Sequence, residues 1–110
     1  MTLVKNVDAA NVDLEFTQGD TIDRTFDDLP IDLTDSDIKV HFRRIDGTLI
    51  KELTSVGSPS EITASGYSMT WLADGFSEKD NLLYDCQSTK AGIVKTFMHG
   101  WAIIRKEQTT

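Results

Sequence analysis

The sequence contains one cysteine, two prolines, two histidines and no long apolar run among its 110 residues. Each shortage closes a route. A lone Cys86 excludes an internal disulfide and suits a fold made in a reducing compartment. Without an apolar stretch of about 20 residues there is no candidate membrane helix, and no membrane is expected as a partner. The N-terminus lacks the basic-then-apolar pattern of a secretory leader, so the expectation is cytosolic synthesis without export. His41 and His99 have no Cys, Asp or Glu at ligand spacing, whereas a structural zinc site needs about four converging ligands. A glycine-rich phosphate loop is also missing, and no cofactor is expected.

Basic charge is scarce in one region only. Residues 1–40 hold ten acidic groups against Lys5, Arg24 and Lys39, while the remainder holds eight of each sign. The whole net charge of −7 therefore lies in the first third. Such a segment repels a phosphate backbone, which argues against nucleic acid as a partner. It reads as a solvated face or as a surface for a basic partner.

Reactive constellations are missing as well. Cys86 shares a strand face with Tyr84 in apolar company, the setting of a buried thiol rather than a nucleophile. Asp27 and Asp28 are adjacent and point to opposite faces of a strand, so they cannot converge on one substrate. Asp20, Asp23, Asp35 and Asp37 match no calcium-loop spacing. Trp71 and Trp101 fall at alternating positions that read as core rather than as a sugar-stacking platform. The chain is not expected to be an enzyme.

What is present is β pattern. Leu82–Arg105 reads LLYDCQSTKAGIVKTFMHGWAIIR, two arms rich in aromatic and β-branched residues. They are joined at Thr89-Lys90-Ala91-Gly92, where Gly92 supplies the positive φ that a hairpin turn requires. In the second arm Ile93, Phe97, Trp101 and Ile103 share one face, and Val94, Met98, Ala102 and Ile104 the other. Two apolar faces predict a strand in mid-sheet, covered on both sides.

Upstream, Val12–Thr17 and Thr21–Asp27 alternate as half-buried strands, broken by a turn at Gln18-Gly19-Asp20. Pro30–Ser36 reads as a crossing loop. Asp37–Arg44 is a strand with Ile38, Val40 and Phe42 inward, and Asp46-Gly47 predicts a type I′ turn. Thr48–Thr54 returns with Leu49 and Leu53 inward. Ile62–Ala64 and Tyr67–Leu72 complete the set, with Tyr67, Met69 and Trp71 on one face. Ser77 is placed to cap a single helical turn. About seven or eight short strands, with turn signals every eight to twelve residues, predict an all-β fold built as an antiparallel sandwich. Residues 1–11 are expected as an N-terminal arm or edge strand and residues 12–107 as the sandwich domain.

Three phrases in order carry a resemblance: FTQGDT at Phe16–Thr21, PIDLTDSDIKVHFRR at Pro30–Arg44 and YDCQSTKAGIVKTFMHGWAII at Tyr84–Ile104. Over residues 12–109 the chain resembles small tailed-phage and prophage structural domains, among them the N-terminal domain of siphophage upper baseplate proteins. Two departures are that Asp35 stands where that family often has glycine, and that the chain stops at Thr110 rather than continuing into a receptor-binding or assembly region. The resemblance implies an immunoglobulin-like sandwich. It also implies a non-enzymatic virion role as baseplate, collar, tail-adaptor or decoration module, made in the bacterial cytoplasm and carried in the virion. The implied partners are other virion proteins, with self-association into a ring as one arrangement. Candidate contacts are Val4 and Val7 in the arm, which can add as a strand to a neighbour, and Gln18, Asp20, Asp32 and Asp35 in the acidic loops. The alternatives are a carbohydrate- or host-surface-binding module using Trp71, Trp101 or Tyr67, and an acidic mimic of nucleic acid.

Overall fold

The computed structural model describes residues 9–57 and 60–106. Nine strands run β1 (Ala10–Asn11), β2 (Leu14–Thr17), β3 (Ile22–Phe26), β4 (Asp37–Arg43), β5 (Leu49–Thr54), β6 (Ile62–Ser65), β7 (Ser68–Ala73), β8 (Asp80–Lys90) and β9 (Ile93–Arg105). They form two sheets. The larger has the order β1-β9-β8-β4-β5, with β2 also on β9, and the smaller has the order β3-β7-β6.

This is the strand order of an immunoglobulin-like sandwich. β3-β7-β6 take the places of strands B, E and D, and β9-β8-β4-β5 those of G, F, C and C′. A tyrosine two residues before a cysteine on strand F is a mark of that fold. Here Tyr84 and Cys86 occupy those places on β8, but Cys86 is a free buried thiol. The sandwich is not wholly antiparallel, because β1 and β2 both run parallel to β9.

The alternation of apolar residues explains the layers. Ile38, Val40 and Phe42 on β4 face Met69 and Trp71 on β7 across the core, all at 1% exposure or less. Phe42 is the hub, with edge-on contacts to Phe16, Trp71 and Phe76 at centroid separations of 6.2, 5.9 and 5.0 Å. Edge-to-face geometry sets the positive ring edge against the negative face, adding specificity to burial.

Several local expectations are corrected. The β8–β9 turn consists of Ala91 and Gly92 alone, both at positive φ (52° and 80°), the form of a type I′ turn. The turn at Asp46-Gly47 is of another type. Only Gly47 has positive φ (95°), its amide donates to the Arg44 carbonyl at 2.8 Å, and the Arg44 amide donates to the Thr48 carbonyl. That is a type I turn closed by a glycine bulge. Asp46 accepts the Thr48 amide at 2.9 Å, which holds it in the turn with negative φ.

Irregular register between Phe42 and Arg43 pairs Arg43 with Leu49 and Phe42 with Lys51, so Leu49 is exposed rather than inward. Tyr67 lies in the β6–β7 turn, 55% exposed, off the face shared by Met69 and Trp71. No helical turn forms at Ser77; Phe76 instead turns into the core.

The largest correction concerns β9. Cys86 pairs with Met98 but Gln87 pairs with Thr96, leaving Phe97 as the extra residue of a bulge. A bulge switches which face later residues occupy. Phe97 and Met98 are both buried in consequence, while Ile93, Val94, His99 and Trp101 are exposed. The second face of β9 is open to solvent, not covered.

Candidate interaction surface

The sequence-predicted contacts do not form one surface. Val4 and Val7 lie outside the described residues. Gln18 and Asp20 sit in the β2–β3 turn, at the end where β9 finishes. The Gln18 amide donates to the Arg105 carbonyl at 2.8 Å, and its side-chain Nε2 donates to the Ser77 carbonyl at 2.8 Å. The Asp20 backbone lies on Gly75, where a Cβ would fall 2.0 Å from the Asp20 oxygen.

Asp32 and Asp35 lie at the opposite end. There the Leu29 and Leu33 amides donate to the carbonyls of Tyr67 and Gly66. Asp32 accepts the Thr34 hydroxyl at 2.7 Å and its amide at 2.9 Å. These bonds, the hydroxyl first, hold the Asp32 carboxyl below its usual pKa. Asp35 takes φ 59°, a conformation that glycine adopts freely and aspartate tolerates better than most residues.

The Asp32 end carries the feature that sequence reasoning missed. β8 and β9 have 11 and 13 residues, against 4 to 6 in the strands of the smaller sheet. At about 3.3 Å per residue, β9 spans about 43 Å, and the smaller sheet cannot reach its start. The hairpin therefore overhangs, leaving Ile93 on its inner face at 61% exposure, while Val94 on the uncovered outer face is at 56%. Under the overhang lies a hollow of about 420 Å³. The hairpin side contributes Ser88, Lys90, Ile93 and Lys95, and the facing loop contributes Ile31 and Asp32. Ser88 pairs with Lys95 and Lys90 with Ile93, so these four share the concave face. Two signals in the sequence pointed here: the unequal strand lengths, and Lys95 interrupting an apolar face.

The outer face of the larger sheet is a second surface. Leu83 and Trp101 are cross-strand partners exposed at 40% and 39%. Beside them a shallow hollow is lined by Asn11, Asp13 and His99. The Asp13 carboxylate accepts the Trp101 amide at 3.0 Å. The next row runs Glu52, His41, Asp85 and His99, with His41 and Glu52 joined at 2.6 Å. Among the described residues no group of three or more His, Cys, Asp or Glu side chains is placed to hold a metal ion. Burial, and then neighbouring Asp85, push the Cys86 thiol well above its ordinary pKa. It stays protonated at neutral pH. Trp71 is fully buried, its indole N–H directed at the Met69 sulfur at 3.4 Å.

No family model matches the chain, and no curated protein matches it. Among solved structures, extracellular domains 3–5 of Drosophila OTK are similar at 16% identity and a TM-score of 0.41. The match covers 92% of this chain and 35% of that one, so the chain spans about a third of that structure's length.

Proposed function

We propose that the protein is a non-enzymatic structural or assembly module of a tailed-phage particle, acting through protein–protein contacts. The observation that carries the contact role is the β8–β9 hairpin, which holds Ile93 under its overhang and Val94 on its outer face in solvent, on a stretch that among the described residues pairs with β8 alone. Monomeric proteins blunt such edges or cover them. The phage setting rests on the resemblance of Phe16–Thr21, Pro30–Arg44 and Tyr84–Ile104 to phage and prophage structural domains. Asp35 lends support, because a position with φ 59° accepts glycine and aspartate in exchange.

The test is immunogold electron microscopy of phage particles prepared from cultures of the source organism, using antibody raised against the chain. Label at a baseplate, collar or tail is expected. Recovery of the chain solely from the particle-free fraction overturns the proposal.

A second reading, a carbohydrate- or host-surface-binding module, is favoured by one observation. Trp101 is partly exposed beside Asn11, Asp13 and His99, an aromatic plane with polar groups at its rim. Trp71 is removed from that reading by its burial. Tyr67, in the β6–β7 turn, lies apart from the Trp101 face. Glycan-array binding abolished by Trp101→Ala would establish this reading, and an array without signal would eliminate it.

A further inference from the structure

We propose that the open edge of β9 over Ile93–Thr96 receives an extended strand of another protein, carrying carboxylates on one face and aliphatic side chains on the other. The inference deepens the protein-contact reading and rests on it.

The edge comes first. β1 pairs with β9 at Met98 and His99 and β2 pairs from Ala102 onward. Among the described residues, Ile93–Thr96 pair with β8 alone. Alternate amides and carbonyls of this stretch therefore face away from β8 and, among the described residues, meet no further strand. The bulge at Phe97 falls between this stretch and the paired one, as bulges do where pairing is terminated. All four residues are exposed.

The chemistry of the occupant follows from the two faces. On the concave face Lys95 stands on the edge strand itself and Lys90 on the next strand, with Ile93 between them. The facing wall offers one carboxylate, Asp32, already engaged by Thr34. An incoming strand thus meets an excess of positive charge on this side, although the chain as a whole is acidic. Cross-strand pairs of opposite charge are favourable and like pairs are not. A second copy pairing by the same edge would bring Lys95 toward its own counterpart, so the complementary occupant is a different chain. On the convex face the neighbour is Val94, which an aliphatic residue covers. Strand addition takes its affinity from the main chain and its selectivity from these alternating side chains.

An inward-pointing lysine at an edge also serves simply to block pairing, and the experiment separates the two roles. The full chain, labelled with ¹⁵N, is titrated with capped peptides of sequence Glu-Val-Glu-Val-Glu-Val and Lys-Val-Lys-Val-Lys-Val. A third peptide repeats the first with alternate amides N-methylated. The acidic peptide should shift the amide signals of Ile93–Thr96, and Lys95→Glu should raise its Kd about tenfold, roughly 1.4 kcal/mol. The same substitution should confer binding of the lysine peptide. Absence of shifts at Ile93–Thr96 overturns the inference. So does equal binding of the N-methylated peptide, which would mean adsorption by charge without a ladder. A Lys95→Glu variant that leaves the preference unchanged overturns it too, leaving Lys95 as a block. Peptide binding with no label on particles would defeat the phage reading alone; labelled particles with no peptide binding would defeat this inference alone.

Discussion

Ala91 holds a backbone conformation that its side chain disfavours, with φ 52° in the left-handed region. Asparagine followed by glycine is the preferred pair for a type I′ turn. Ala91→Asn should therefore stabilise the protein by about 0.5–1 kcal/mol and raise the thermal midpoint by several degrees, read by calorimetry. Gly100 presents the opposite case. A Cβ there would lie 2.3 Å from the Val12 carbonyl oxygen, and backbone cannot yield as a side-chain tip does. Gly100→Ala should force the β1–β2 segment off β9 and cost about 3 kcal/mol. Urea unfolding would show the loss, and faster amide exchange in β1 and β2 would localise it. The Tyr84 hydroxyl donates to that same Val12 carbonyl, so Tyr84→Phe should cost about 1 kcal/mol. At this scale the sequence was readable for Gly92 and silent for Ala91. Alanine carries no signature of positive φ; its strain is imposed by the partner strands.

At the scale of elements, the bulge at Phe97 decides what β9 does. Below it the strand lies over the core; above it the strand overhangs. The two segments have similar hydrophobicity and should answer differently to mutation. Ile93→Ser combined with Val94→Ser should change stability by no more than about 0.5 kcal/mol. Phe97→Ala, which empties a site at 1% exposure, should cost about 3–5 kcal/mol. Denaturant midpoints of the two variants make the comparison, and equal losses would place the overhang inside the core. Alternation in the sequence made the existence of this hairpin legible. It could not locate the bulge, because a one-residue slip is decided by how Cys86 and Met98 pair against the opposite sheet.

Across the whole molecule, charge and protonation set the pH response. Thr34 holds the carboxyl of Asp32, and Thr48 that of Asp46, below the usual pKa, through the threonine hydroxyl first and the amide second. Each group binds its proton less readily folded than unfolded. The stabilisation is complete above the unfolded carboxylate range and is lost as pH falls through the lowered folded values. Asp46→Ala should thus be less stable than the parent at neutral pH, and the gap should close on acidification, as measured by urea titrations from pH 7 to pH 2. Tyr84 behaves in the other sense. Burial, then Cys86 and Asp13, raise its pKa above the ordinary 10.0, so the unfolded chain loses that proton first. Stability should fall once pH exceeds about 10, and Tyr84→Phe should flatten the fall. Light scattering on a sizing column gives the assembly state: a ring would add self-association to the proposed role, and a monomer would confine that role to contacts with other proteins.

The sequence by itself determined the class of fold, most of the strands and most of the core, because alternation of apolar and polar residues is a local property that survives without neighbours. Ile38, Val40 and Phe42 on β4 and the Gly92 turn were all readable in that way. Tertiary structure alone decided which surfaces face outward. The acidic loops of Gln18–Asp20 and Asp32–Asp35 went to opposite ends because the single strand between them, β3, carries the chain from one end of the smaller sheet to the other. Trp71 was buried and Trp101 left at the surface by the opposite sheet, and Ile93 was exposed because that sheet is shorter than the hairpin it covers. Which face of a strand is covered depends on what packs against it, and that information lies in residues distant along the chain.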